Sequence, residues 1–287
     1  MKFTTYLRGG APRLALVDGQ DLIDLNDANP QVAPDLRAAL RAGTDLQAAA
    51  RQAIETGTRQ SLAAAVLAPL VPEPGKIICL GLNYYDHAKE GGREKPDYPW
   101  FFFRAPSSLV AHGQAAWLPK VSTRFDYEAE LAVVIGRAVP RHTKQADALQ
   151  YVFGYSCFND MSVRDYQKRT PQWTIGKNFD RTGGFGPVLV TADELAPGAT
   201  GLRIQSRLNG QVMQDANTDD MIFSVAETIA LLAEVLSLEP GDVIVMGTPA
   251  GVGQARTPPV WMKAGDTIEI EIDRVGLLSN PVENEAV

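Results

Sequence analysis

The chain is poor in cysteine, histidine and net positive charge, and it has no long apolar run. Its two cysteines, Cys79 and Cys157, each sit inside an apolar, strand-like stretch. Two separated thiols cannot build a disulfide framework and suit a reducing compartment. The net charge is −7 and no cluster of Lys and Arg stands out against it. A nucleic-acid partner is therefore not expected, because phosphate binding needs concentrated positive charge. No stretch reaches the eighteen or so apolar residues of a membrane span. The opening segment MKFTTYLRGG has no apolar h-region, so no secretory leader is expected and a cytoplasmic placement is. What remains is ordinary globular composition, with 45% apolar and 21% charged residues over 287 positions.

Three short strands are expected first, over Phe3–Leu7, Arg13–Val17 and Leu22–Leu25, punctuated by Gly9-Gly10 and Asp18-Gly19. Two Ala- and Leu-rich helices follow, around Asp35–Arg41 and Leu46–Ile54. The cluster Val71-Pro72-Glu73-Pro74-Gly75 reads as a linker, separating a small N-terminal domain (1–70) from a main domain (71–287). In the main domain, strands are expected at Ile77–Leu80, Trp100–Phe103, Leu131–Ile135, Tyr151–Phe158, Val188–Val190, Arg203–Leu208, Val243–Met246 and Thr267–Ile272. One helix is marked by Ser224 and Glu227 as a capping box, with Val225, Ile229, Leu232, Val235 and Leu236 along its apolar face. The fold class is α+β and β-dominated, not an alternating βαβ chain.

The most informative segment is Phe125–Gly136. Read as one strand, it puts Asp126, Glu128 and Glu130 on one face, continuing into Ala132 and Val134, which should be buried. Like charges at the edge of a core need a cation or protons. Oxygen-only ligands suit a hard ion. The same residues also fit an exposed edge strand with solvated acids. Asp160, after the apolar run to Phe158, fits either a further ligand or an ordinary Asn-Asp turn.

Of three histidines, His87, His112 and His142, only His87 has a suggestive neighbour. On a helix His87 and Glu90 share a face, and a carboxylate that fixes an imidazole tautomer makes it a base near neutral pH. A surface His beside a solvated Glu remains the plainer alternative. His142 reads as a turn residue, and His112 could lie near the site without an evident role. The segment Gly247–Gly253 lacks both the P-loop ending and the dinucleotide-turn spacing. It fits a loop whose N–H groups and Thr248 hydroxyl approach a small anion, or a tight structural turn.

Seven segments in sequence order carry a resemblance. They are Gly81-Leu82-Asn83-Tyr84-Tyr85-Asp86-His87, Tyr127–Leu131 with its two glutamates, Asn159–Asp165, Gly176-Lys177-Asn178-Phe179-Asp180, Leu208–Gln214, Met221-Ile222-Phe223 and Pro240–Gly253. Together, from about Lys76 to Asn280, the chain resembles the fumarylacetoacetate hydrolase superfamily. The resemblance implies a mixed β-sandwich roll with a small N-terminal α/β domain, and a homodimer. It implies Glu128, Glu130 and Asp160 as ligands of Mg2+ or Mn2+, with Asp126 outside the ligand set. His87 and Glu90 match a water-activating pair on a lid segment, and Lys177 a group that stabilises developing negative charge. Arg164, Gln167 and Thr248 match substrate-contacting positions. Where many members have Phe-x-Lys-Pro, this chain has Phe103-Arg104-Ala105-Pro106, so Arg104 receives no catalytic role.

The implied reaction is metal-dependent hydrolysis of a 2,4-dioxo acid, an acylpyruvate such as fumarylpyruvate. His87 would deprotonate a water that attacks C4, giving a carboxylic acid and a 2-oxo acid. Isomerisation of a 2-hydroxy-diene-dioate, decarboxylation of oxaloacetate, hydrolysis of a 2,4-dioxo-3-deoxy sugar acid and ureidoglycolate cleavage are alternatives within the family. A non-catalytic oxo-acid binder on this fold is the alternative outside it. The acyl group is not readable from the sequence.

Overall fold

A computed structural model describes residues 1–286. Its strands follow the alternation of apolar residues, and the alternation decides how the layers pack. An eleven-stranded mixed sheet runs in the order Arg59–Ser61, Asp21–Asp24, Ala11–Asp18, Lys2–Arg8, Gly183–Thr191, Val152–Asp160, Ala129–Ile135, Val243–Val245, Ile77–Gly81, Trp100–Arg104. Leu109–Ala111 pairs in parallel with Gly183–Thr191 off this path. A five-stranded sheet holds Gln211–Asn217, Arg203–Leu208, Thr267–Ile272, Gly276–Asn284 and Ala116–Leu118.

The central strand Ala129–Ile135 shows how two layers share one sheet. Leu131, Val133 and Ile135 pack toward the five-stranded sheet with Ile204, Ile268, Ile270 and Leu278. Ala132 and Val134 point the other way, into a layer with Phe158, Val243, Val245 and the helical residues Leu36, Leu40 and Leu46. A period of two in the sequence thus becomes a strand buried on both faces. Truncating a fully buried leucine such as Leu131 to Ala costs about 2–5 kcal/mol. The N-terminal strands join the large sheet directly, since Lys2 and Phe3 pair with Val190 and Leu189.

Several expectations need correction. The acidic segment is two pieces rather than one strand: Phe125–Asp126 pairs with Ser162–Val163 in a separate ribbon, and the main strand begins at Ala129. Tyr127 and Glu128 lie between the two, and the Glu128 N–H is satisfied by Asn159 Oδ1 at 3.0 Å instead of a neighbouring strand. The helix Val225–Val235 starts at the expected cap, where Ser224 accepts from the Glu227 N–H. Its expected apolar face loses Val235, which is 66% exposed at the last turn. The strand Gln211–Asn217 and the closing strand Gly276–Asn284 went unread, because their apolar residues are diluted by Gln, Asp, Asn and Ser.

Candidate metal centre and catalytic cavity

Antiparallel register brings the carboxylates together. Ala129 is opposite Asn159 and Glu130 opposite Phe158, so one residue further out Asp160 faces Glu128, and the Asp160 N–H donates to the Glu128 carbonyl. Glu128, Glu130 and Asp160 offer oxygens that all lie within 4.8 Å of one another, and all three residues are buried. The bare alternative of solvated acids on an exposed edge is therefore excluded. So is an ordinary exposed turn at Asp160.

Three buried cations surround them. Lys177 Nζ is 2.6 Å from both Glu128 Oε2 and Asp160 Oδ2. Arg164 Nη1 is 2.7 Å from Glu128 Oε1, and its Nε is 2.8 Å from Asp126 Oδ2. Arg104 donates to Asp160 Oδ1, to Thr182 Oγ1 at 2.9 Å and to Ser108 Oγ at 3.2 Å. Asp126 does not join the triad. It holds Arg164 and accepts from the Gly253 N–H at 2.7 Å and the Gln254 N–H at 3.0 Å.

The charge balance explains the titration of the centre. Burial opposes ionisation of Glu128, but Lys177 and Arg164 outweigh it and hold its carboxyl down at about 2. Burial pushes Glu130 up well above the usual carboxylate range, and Asp160 and Glu128 push it further. Burial works against the charge of Lys177, yet Asp160 and Glu128 keep its ammonium more firmly protonated than usual. Four buried carboxyls, with Asp126 included, face three buried cations. The carboxyl in excess is Glu130, which is neutralised by a proton when no other cation is present. A divalent ion fits this set: the donors are oxygens, they converge, and one of them lacks a compensating charge.

Glu128 and Glu130 open onto a cavity of about 690 Å³, with Asp160 buried behind them, and its walls include His87, Glu90, Arg164, Gln167, Lys177 and Thr248. Every catalytic or substrate-contacting residue expected from the sequence therefore meets the same space. His87 and Glu90 lie on the short helix Tyr85–Glu90, with His87 Nδ1 2.9 Å from Glu90 Oε1. The other Glu90 oxygen accepts from the Gly251 N–H at 2.9 Å, which ties this helix to the glycine-rich loop. A carboxylate can only accept, so this contact places a proton on Nδ1 and makes Nε2 the basic nitrogen of the neutral imidazole.

The loop Gly247–Gly253 also serves the triad from behind. Gly247 sits at φ +87°, where a side chain would be strained, and a Cβ there would come within 2.7 Å of Asn83 Cβ. This conformation lets its N–H donate to Glu130 Oε2 at 2.6 Å. Thr248 Oγ1 accepts from Gln214 Nε2 at 2.7 Å, while Gln214 Oε1 accepts from the Ala129 N–H at 2.9 Å. Gln214 thus couples loop to strand, a role that its place at the end of the Leu208–Gln214 segment does not reveal. Trp100 stacks on Trp173, with ring centroids 5.4 Å apart, to form an aromatic wall. His112 lies away from the cavity wall and accepts from the Ser279 N–H at 3.0 Å.

Comparison with known proteins points the same way. Residues 76–283 match the family described as Fumarylacetoacetate (FAA) hydrolase C-terminal. A mitochondrial oxaloacetate tautomerase of Xenopus laevis is 40% identical over 275 residues, 94% of this chain and 85% of that protein. The oxaloacetate tautomerase YisK of Bacillus subtilis is 38% identical over 286 residues, 93% of this chain and 94% of that one. Among solved structures, maleylpyruvate hydrolase from Sphingobium sp. SYK-6, in complex with manganese(II) ion and pyruvate, superposes with a TM-score of 0.82. That match is 31% identical and covers 100% of both chains.

Proposed function

The chain belongs to the fumarylacetoacetate hydrolase family, and from that premise we propose that it is an Mg2+- or Mn2+-dependent enzyme catalysing enol–keto interconversion of a 2-oxo dicarboxylic acid such as oxaloacetate. The observation that carries this reading is one cavity walled by Glu128 and Glu130 of the carboxylate triad together with the His87–Glu90 pair. With Glu130 ionised and a divalent ion in place, the buried centre would hold one positive charge. A 2-oxo acid contributes one carboxylate there and restores neutrality.

A divalent ion held by Glu128, Glu130 and Asp160 would supply Lewis-acid polarisation of the 2-oxo group. The chain's own residues supply the rest. His87 Nε2 takes a proton from C3, the C–H electron pair becomes the C2–C3 double bond and the C2=O π pair moves onto oxygen; the imidazolium then gives that proton to the C2 oxygen, which yields the enol. Glu90 stabilises the imidazolium while it holds that proton. Lys177 stabilises negative charge developing on the C2 oxygen. In the reverse direction His87 takes the enol O–H proton and delivers it to C3, so one proton moves between C3 and the C2 oxygen and the reaction balances without water or a co-reactant. Arg164, Gln167 and Thr248 orient the bound acid, and the Trp100–Trp173 wall limits access of bulk water. Relatives 38–40% identical over more than nine-tenths of this chain carry the tautomerase name, which supports this reading.

Acylpyruvate hydrolysis, the reaction expected from the sequence, is the second reading. The retained His87–Glu90 pair favours it, because the same base can deprotonate a water, and a maleylpyruvate hydrolase shares the fold. The test is a side-by-side assay of the purified protein with Mg2+ and with Mn2+. Ultraviolet absorbance follows decay of enol-oxaloacetate, and product analysis follows acetylpyruvate and maleylpyruvate. Enol decay no faster than buffer plus metal would sink the tautomerase reading, and pyruvate release from the acylpyruvates would then favour hydrolysis.

A further inference from the structure

A second cavity of about 320 Å³ adjoins the first and is lined by Arg124, Arg164, Lys168, Gln254, Pro259 and Trp261. Arg164, Lys168 and Gln254 belong to the walls of both cavities. Among the described residues no carboxylate lines the smaller one, whereas three cationic side chains do. Arg124 and Lys168 reach it from exposed positions, and Arg164 from the interior, where the residue is 2% exposed.

Arg164 is only partly satisfied. Its Nε and Nη1 are used on Asp126, Glu128 and Gln167, but its Nη2 is buried without a hydrogen-bond partner. The carboxamide of Gln254 likewise has a buried end with no partner, Oε1, and a half-turn of that group presents its NH2 instead. An unmet buried guanidinium N–H is costly, and like charges gathered on one cavity repel. Water can satisfy the N–H but leaves the repulsion. An anion removes both.

We propose that this side cavity is an anion subsite for a carboxylate- or phosphate-sized group, bound by Arg164 Nη2, Lys168 and Arg124, with Gln254 and Trp261 framing it. Two sources share that chemistry: the far carboxylate of an acid bound in the main cavity, or a free anion that binds beside it. The first source rests on the proposed 2-oxo acid chemistry and the second does not.

The experiment titrates inorganic phosphate into the full-length protein by calorimetry, with Mg2+ and again with EDTA. Wild type, Lys168→Arg and the double variant Arg124→Ala/Lys168→Ala are compared. Both replaced residues are exposed, so the double variant keeps the fold, which circular dichroism verifies. Expected are saturable binding in wild type, retention in Lys168→Arg, and weakening of about tenfold or more in the double variant. Absence of phosphate binding, or binding that survives the double substitution, would overturn the subsite. Steady-state assays then separate the sources. For the substrate's own carboxylate, the double variant raises KM for oxaloacetate and leaves that for acetylpyruvate in place. For a free anion, KM is unchanged and added phosphate alters turnover in wild type alone. A protein inactive on both substrates that still loses phosphate binding in the double variant refutes the 2-oxo acid reading and retains the subsite.

Discussion

The Lys177 ammonium stands 2.6 Å from Asp160 Oδ2, in a centre from which solvent is almost wholly excluded. The same nitrogen reaches Glu128 Oε2, so one cation compensates two of the three carboxylates that converge on one another. Removing one partner of a buried ion pair costs about 3–5 kcal/mol, since the remaining charge is left without compensation. Lys177→Met is therefore expected to lower the stability of the metal-free chain by that order, and Mg2+ should recover a large part of it. Denaturant unfolding with EDTA and with Mg2+ tests this. A variant as stable as its parent in EDTA would remove Lys177 from the charge balance.

Asp160→Asn keeps the shape of the side chain and removes one charge from the triad. Metal affinity should fall beyond the about 10–100-fold typical of changes behind the ligands. Turnover lost in EDTA should return with Mg2+ or Mn2+ in wild type only. Calorimetric metal titration together with an activity assay checks both. Undiminished affinity in Asp160→Asn would exclude it as a ligand.

Much of this site is legible in the sequence, and the limits have physical causes. Glu128 and Glu130 could be paired because a period of two is local, and Ala132 and Val134 beyond them are buried as that period requires. Asp160 could not be placed by local pattern, because its nearness to Glu128 depends on the register between two strands. Only the order of the motifs supplied it. The strand period alone makes Asp126 equivalent to the glutamates; the resemblance sets it outside the ligand set, and the break at Tyr127-Glu128, with Asp126 held by Arg164, gives the physical reason. Neither the role of Gln214 nor the identity of the anion that the Gly247 N–H meets, Glu130, is legible, since both contacts cross between elements far apart in sequence.

His87→Ala should lower kcat by about 10²–10⁴-fold, the usual contribution of a positioned acid–base group, with a smaller change in KM. Glu90→Gln keeps a hydrogen-bonding group beside Nδ1 but removes the charge that stabilises the imidazolium. Its loss should be smaller than that of His87→Ala. In addition, His87→Ala should impair acylpyruvate hydrolysis far more than metal-dependent decarboxylation of oxaloacetate. Equal losses in the two reactions would remove His87 as the base.

Metal binding should release a proton from the centre. Glu130 binds its proton more tightly in the folded chain than in the unfolded one, through burial and then through Asp160 and Glu128. Its contribution to stability is thus present below the ordinary carboxylate value and is lost as pH rises above it toward the elevated folded value. A divalent ion replaces that proton and removes the loss. Calorimetric Mg2+ titrations in two buffers of different ionisation enthalpy should report on the order of one proton released per ion. Within that window, identical heats in the two buffers would mean that Glu130 is already ionised.

Arg104 offers the sharpest separation of sequence from structure. In the sequence Arg104 follows the strand expected at Trp100–Phe103, and the departure from the lysine of many family members gave no reason to assign it a catalytic role. The structure buries it and sets its guanidinium against Asp160 Oδ1, Thr182 and Ser108. It touches the ligand rather than the cavity wall, so it is a positioning residue. Its planar fork spreads donors over three partners, which a lysine ammonium, a single point of charge, cannot reproduce in the same space. Arg104→Lys should retain the charge balance and most of the stability, yet weaken metal binding by about 10–100-fold, as changes behind a ligand do. Arg104→Met should lose stability as well, by about 3–5 kcal/mol in the metal-free chain. If Arg104→Lys bound metal as tightly as wild type, its charge alone would matter, and the fork geometry behind Asp160 would be incidental.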